Sequence, residues 1–139
     1  VIVFVFLVQI ITPIRYFKHR YPIPLSEEEE VFQEVAEWYK SQEVSGNATV
    51  YLNPYFSVVG DVNPYDNTQH FQLYASGIQW IKSGDYVIWD AHFCPNEGGV
   101  PKSTFVGNAE YEHLKTFKPK ERYITLNDYE YEVLVFRKR

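Results

Sequence analysis

The sequence predicts an α/β fold in which a small mixed β-sheet is flanked by helices. A parallel βαβ pair comes first and a C-terminal antiparallel hairpin closes the sheet. Three observations predict this class: an amphipathic helical pattern, two short apolar runs bounded by turn residues, and two final segments rich in β-branched and aromatic residues. The 139 residues suffice for one domain with a packed core but not for two.

The chain opens with an apolar run, Val1 to Ile11, followed by a basic and aromatic segment, Arg15 to Tyr21. Spanning a bilayer takes roughly 20 apolar residues, so this run alone is too short. One interpretation is a buried strand or core helix, and the other is the end of a transmembrane helix. The aromatic and basic flank is typical of the headgroup region and favours the second. Because the chain starts with valine and lacks methionine, we expect a fragment: residues 1–21 end a transmembrane helix with its interfacial flank, and residues 22–139 form a soluble α/β domain.

A helix is predicted from Ser26 to Lys40. Ser26 and Glu29 have the spacing of a capping box, and the acidic residues of the first turn suit the positive end of the helix dipole. Apolar residues recur at helical spacing and form one stripe: Val31, Phe32, Val35, Trp38 and Tyr39.

The parallel pair is predicted from the middle of the chain. Ala48 to Leu52 is the first strand, and Asn53-Pro54 starts a loop or short helical turn. The apolar positions between Phe71 and Ile81 predict a second helix, and Tyr86 to Trp89 is the next strand. A strand, a helix and a strand in this order imply a parallel pair.

The last third of the chain predicts a short helix and a hairpin. Apolar residues from Phe105 to Phe117 have helical spacing. Arg122 to Leu126 and Tyr131 to Arg137 are then two strands joined through Asn127-Asp128.

Composition narrows the function classes. The net charge is −5 and no block of basic residues could follow a phosphate backbone, which argues against nucleic-acid binding. Twelve tyrosines and ten phenylalanines indicate either a thick core or a surface that meets sugar rings or a membrane interface. A single cysteine, Cys94, excludes an intrachain disulfide.

Candidate binding residues follow the two predicted parallel strands. Asp90, His92 and Glu97 come directly after the second strand, and Tyr55 and Phe56 follow the first. The carboxyl ends of parallel strands share one edge of a sheet, where α/β proteins present loops to ligands. We therefore predict substrate binding at this edge, with the two aromatic residues stacking on sugar rings or lying at the lipid interface.

The chemistry of this loop has a competing structural interpretation. Asp90, His92 and Glu97 are residue types that bind metal ions, but their spacing matches no closed zinc motif. In the structural interpretation, Asp90 accepts hydrogen bonds from loop amides and Gly98-Gly99 forms a tight turn. We favour this interpretation. Cys94 as a nucleophile would need a base and a lowered pKa. We predict no catalytic residue, no bound metal and no cofactor in this chain.

The run from Gly84 to Phe93 with Pro95 to Glu97, and the closing strand Tyr131 to Arg137, resemble the tail domain of certain bacterial polytopic membrane proteins. These are similar to the dolichyl-phosphate-mannose protein mannosyltransferase family, whose members use polyprenyl-phosphate-linked sugars. The resemblance covers the whole chain and makes Val1 to Ile11 the end of the last transmembrane helix. In that family the catalytic acid lies in an early loop between membrane helices, so no catalytic residue is carried over.

The resemblance implies an accessory soluble domain of an integral membrane glycosyltransferase. Its partners would be the lipid membrane and a polyprenyl-phosphate sugar or its acceptor. Two alternatives remain open: a small stand-alone metal-dependent enzyme using the loop after the second strand, and a non-catalytic membrane-tethered binding module. The basic residues Arg15, Lys18 and Arg20 favour a cytoplasmic domain, whereas the resemblance implies a periplasmic one. We adopt the periplasmic location.

Overall fold

The computed structural model describes residues 10–16, 23–42, 44 and 46–139, and its centre is a five-stranded mixed sheet. The strands are β1 Thr49–Tyr51, β2 His70–Gln72, β3 Tyr86–Asp90, β4 Tyr111–Phe117 and β5 Val133–Lys138. After a helical segment at residues 10–16, the α-helices are α1 Glu27–Lys40, α2 Pro54–Val59 and α3 Phe93–Asn96. The strand order is β2-β1-β3-β5-β4. Strands β2, β1 and β3 are parallel, whereas β5 is antiparallel to β3 and β4. The predicted fold class is confirmed.

Helix α1 begins where the capping box predicts. The Ser26 hydroxyl accepts a hydrogen bond from the Glu29 backbone N–H, and the Glu29 carboxylate accepts one from the Ser26 backbone N–H. Near its other end, the Tyr39 hydroxyl lies 2.7 Å from Thr49 Oγ1 and its ring meets Tyr86 edge to face. The helix thus covers the face of the sheet that carries Thr49 and Tyr86. Its buried residues are Val31, Phe32, Val35 and Ala36.

Strands β1 and β3 form the predicted parallel pair, and every residue in both is buried. Burial on both faces is what continuous apolar runs in a parallel sheet require. The face opposite α1 is covered by the segment 93–107. There the Trp89 indole N–H donates to the Val100 carbonyl at 2.8 Å, and the Phe105 ring lies 5.4 Å from that of Phe136.

The predicted helix from Phe71 to Ile81 is wrong. The segment begins as β2, in which Phe71 lies opposite Val50, and continues as a 3-10 helix, Ala75–Trp80. The Leu73 N–H donates to the Tyr51 carbonyl and extends the pairing with β1. Pairing with a distant strand therefore overrides a local helical pattern of only ten or so residues.

The predicted helix from Phe105 to Phe117 is also wrong, because residues 111–117 are strand β4. A bulge between His113 and Lys115 shifts the register against β5 and breaks the alternation that normally reveals a strand. The prediction of a strand from Arg122 to Leu126, the first of the hairpin, is wrong as well. Within 122–126 only Ile124 forms a bridge, to Glu130, and β5 takes β4 as its antiparallel partner instead.

Near the amino terminus, residues 10–16 are helical and all seven are exposed. The remainder of the predicted transmembrane run, residues 1–9, lies outside the described residues, as does the flank 17–22. In the part of the chain that the structure describes, no helix has the length and apolar character needed to span a bilayer.

Candidate functional site

The predicted site lies at the carboxyl end of β3, and Asp90 is its most buried member. One carboxylate oxygen accepts hydrogen bonds from the backbone N–H groups of His92 (3.0 Å) and Phe93 (2.7 Å). The other accepts one from the Cys94 thiol at 3.3 Å. Burial raises the pKa of Asp90, although the hydrogen bond from Phe93 acts in the opposite direction. Asp90 is fully buried and organises the turn into α3, so it has no surface to offer a substrate.

Cys94 is equally inaccessible. Its side chain is fully buried in α3. Burial, and then the negative charge of Asp90, raises the pKa of the thiol well above its usual range. A reactive cysteine needs a thiolate in a partly exposed, electropositive setting. Cys94 has neither property and acts as a small core residue.

His92 is the member of the predicted site that pairs with a carboxylate on another element. Its Nδ1 lies 2.8 Å and 3.0 Å from the two carboxylate oxygens of Glu28, in the first turn of α1. The His92 side chain is 29% exposed, and its Nε2 has no hydrogen-bond partner among the described residues. A carboxylate that binds one imidazole nitrogen orients the ring and leaves the other nitrogen for a ligand or a proton. Sequence reasoning missed Glu28, since the two residues are 64 positions apart.

Glu97 is exposed at the end of α3, where its backbone N–H donates to the Phe93 carbonyl at 2.8 Å. The loop then turns sharply at Gly98, where a Cβ would lie 2.6 Å from the Leu73 carbonyl oxygen. The Gly98 carbonyl accepts a hydrogen bond from the Ala75 N–H, so the loop after β3 docks against the loop after β2. This contact holds Glu97 at the surface of the edge.

The two predicted aromatic residues have different environments, and both belong to α2, which Asn53 caps by accepting from the Tyr55 N–H. Tyr55 is half-buried. Phe56 is fully buried, with its ring centroid 4.9 Å from that of Tyr51 and 5.3 Å from that of Tyr39. Phe56 is therefore a core residue, and the prediction that it stacks on a ligand is wrong.

Sequence reasoning also missed Tyr131. The residue is fully buried, and its hydroxyl has no hydrogen-bond partner among the described residues. Burial raises the pKa of Tyr131, and the negative charges of Asp90 and Glu28 add to the shift. The hydroxyl therefore stays protonated. In the sequence, only the position of Tyr131 just before β5 distinguishes it from the other tyrosines.

The segment 118–130 packs beside these residues. Lys120 Nζ lies 3.5 Å from a Glu30 carboxylate oxygen, and the Thr125 hydroxyl donates to the Ala91 carbonyl at 3.1 Å. We call this surface the β3 edge, because it lies at the carboxyl end of the central strand β3. It consists of loop 91–97, the first turn of α1 and segment 118–130. Its exposed apolar side chains are Tyr123, Ile124 and Leu126, and Ile23 and Leu25 just precede α1.

The β3 edge does not assemble a metal centre from the residues that are described: no group of three or more histidine, cysteine or acidic side chains there could hold an ion. Asp90 uses its oxygens on the loop, and His92 uses Nδ1 on Glu28. What the edge offers a ligand is one imidazole nitrogen, the Glu97 carboxylate, the exposed cations Lys120 and Arg122, and the exposed apolar side chains. In comparisons with known proteins, no protein-family model matches this chain, and neither does a curated protein or a solved structure.

Proposed function

We propose that this chain is an accessory, membrane-tethered domain of a glycosyltransferase that uses a polyprenyl-phosphate-linked sugar. In this proposal the catalytic residues lie elsewhere in the parent protein, and the domain lies on the periplasmic face with its β3 edge towards the membrane. The observation that supports the tether is the exposed apolar helical segment 10–16, which precedes α1 by only ten residues. The glycosyl-transfer part of the proposal rests on the sequence resemblance.

Segment 10–16 supports the tether. Four of its seven residues are large apolar or aromatic side chains that remain about half exposed: Ile10, Ile11, Ile14 and Tyr16. Keeping apolar surface in water costs about 25 cal/mol per Å². A lipid bilayer would remove this cost, and the apolar residues that precede the segment in the sequence would add to the gain.

The path of the chain supports the orientation. Ten residues, 17–26, separate the segment from α1 and can reach at most roughly 35 Å. Glu28, in the first turn of α1, contacts His92. The β3 edge is therefore the part of the folded domain that follows segment 10–16 most closely along the chain, and the proposal places it towards the bilayer.

Particular side chains of the edge could contact the headgroup region or a lipid-linked sugar. The Nε2 atom of His92 could contact a phosphate or a sugar hydroxyl. The side chains of Lys120 and Arg122 are 83% and 75% exposed, which leaves them able to meet phosphates. Tyr123 and Leu126 beside them are of the types found at membrane interfaces.

The test uses the full-length protein that carries this chain. The His92→Ala and Glu97→Ala variants should each lower the rate of glycosyl transfer from the polyprenyl-phosphate sugar, while membrane insertion and folding stay unchanged. Deleting the domain after residue 22 should lower the rate further. His113→Ala, an exposed histidine on β4 outside the β3 edge, is the matched control and should leave the rate unchanged. Transfer at the wild-type rate in the deletion variant would refute the proposal.

A further inference from the structure

Strand β4 is an edge of the sheet, with β5 on one side. Its other side pairs with no strand in the part of the chain that the structure describes. The outward backbone N–H and C=O groups of such a strand can accept a further strand. The bulge between His113 and Lys115 twists the edge and limits any added strand to a short stretch.

A cleft of about 400 Å³ lies beside β4 on one face of the sheet. Its floor consists of the aromatic and aliphatic side chains Phe105, Tyr111, Leu134 and Phe136, all of them buried. The rim carries the exposed Val106. Lys102, Asn108, His113 and Glu132 also line the cleft. We call it the apolar cleft after its floor, which suits one large apolar side chain.

A second cleft of about 400 Å³ lies beside β4 on the face that α1 covers. Its lining includes Glu34, Glu37 and Trp38 from α1, Lys115 from β4 and Lys118 just after that strand. The Lys115 ammonium lies over the Trp38 ring, 5.9 Å from its centroid. Neither Glu34 nor Glu37 forms an ion pair with another described residue, whereas the Lys118 ammonium lies 3.8 Å from a Glu130 oxygen and 3.7 Å from a Glu132 oxygen. Glu34 and Glu37 are therefore the carboxylates of this cleft that can attract a further cation. We call this the acidic cleft.

Thr116 lines both clefts, so they meet at the edge strand. Adjacent residues of an extended peptide point to opposite faces of a sheet. We propose that an extended segment of a partner protein adds to β4 as a sixth strand. It places a large apolar residue in the apolar cleft and the adjacent basic residue next to Glu34 and Glu37. Backbone hydrogen bonds to the edge supply affinity and the two clefts supply specificity, as in other cases of strand addition.

The test is a titration of the 139-residue chain with a capped, fluorescein-labelled peptide of sequence Ser-Phe-Lys-Phe-Lys-Phe-Ser, followed by fluorescence anisotropy. A peptide of the same composition with the phenylalanines in one block is the control and should bind at least tenfold more weakly. The double variant Glu34→Gln/Glu37→Gln should weaken binding about two- to fivefold, the range expected of exposed ion pairs. Glu121→Gln, at an exposed position outside both clefts, should bind as the wild type does.

Methylation of the peptide nitrogens separates strand addition from binding in the clefts alone. In a strand, alternate N–H groups point to opposite sides, so only one set can bond to β4. Methylating the set that faces β4 should weaken binding at least tenfold, and methylating the other set should change it by less than about twofold. Equal effects of the two methylated peptides, or no binding of the parent peptide, would overturn the proposal. A dimer of the chain that Lys115→Pro disrupts would also overturn it, since a second copy would then occupy the edge.

Discussion

Asp90 holds the turn after β3 through both of its carboxylate oxygens. In Asp90→Ala the N–H groups of His92 and Phe93 lose their acceptor inside a buried turn. Leaving such donors unsatisfied costs about 1–3 kcal/mol each, so the variant should lose about 2–6 kcal/mol of unfolding free energy in urea titrations. Glu97→Ala, seven residues further on and exposed, should stay within about 0.5 kcal/mol of wild type. An Asp90→Ala variant as stable as wild type would show that the turn does not depend on this carboxylate.

We expect His70 to make the free energy of unfolding depend on pH. It is 4% exposed, its ring stacks on Tyr51 with centroids 4.3 Å apart, and its Nδ1 has no partner among the described residues. Burial lowers the pKa of His70, although a backbone hydrogen bond with Thr49 opposes the shift. The folded state therefore favours the neutral ring, and the unfolded state binds the extra proton. Stability should be retained above about pH 6.5 and fall as the pH drops below it.

Urea titrations at several pH values between 5 and 8 would measure this effect of His70. The wild type should lose up to about 1.4 kcal/mol per pH unit from this residue, whereas His70→Phe should not. The exposed His113 provides the matched variant, His113→Phe, whose pH profile should follow that of the wild type. Parallel profiles for the wild type and His70→Phe would contradict the assignment.

At the scale of elements, the N-terminal cap of α1 supports the candidate site. The capping box at Ser26 orders the first turn, and that turn carries Glu28 to His92. Ser26→Ala should cost about 1 kcal/mol of unfolding free energy. It should also broaden the imidazole resonances of His92 in NMR spectra, because the Glu28 contact loosens. Ser83→Ala, in an exposed turn, should leave both quantities unchanged, and unaltered His92 resonances in Ser26→Ala would show that the pair does not depend on the cap.

At the scale of the whole molecule, segment 10–16 should attach the domain to lipid. In flotation assays with phosphatidylcholine and phosphatidylglycerol vesicles, the chain should float with the lipid. Ile10→Glu/Ile14→Glu should reduce vesicle partitioning at least tenfold, since burying each isoleucine contributes about 1.5–3 kcal/mol. Val58→Glu, in α2 and 75% exposed, is the control and should float like the wild type. Partitioning that survives the double substitution would place the lipid contact elsewhere.

The sequence by itself determined the elements whose signals are local. A capping box followed by a stripe at helical spacing specifies α1, because the bonds that start a helix join residues three or four positions apart. The buried runs of β1 and β3 were equally visible, since turn residues bound them and their β-branched and aromatic side chains suit a covered sheet. These signals also sufficed for the fold class and for the edge at which the loop after β3 lies.

Only the tertiary structure decided the features that depend on distant partners. Strand β2 forms because Phe71 pairs with Val50 on β1. In β4 a bulge opposite β5 interrupts the alternation of side chains, so the sequence pattern does not indicate a strand. The partner of His92 is Glu28, 64 residues away, and the burial of Phe56 follows from the rings that surround it. These contacts join residues that are far apart in the sequence, so local spacing does not reveal how much they stabilise the fold. Periodicity and turn signals therefore carry no information about them.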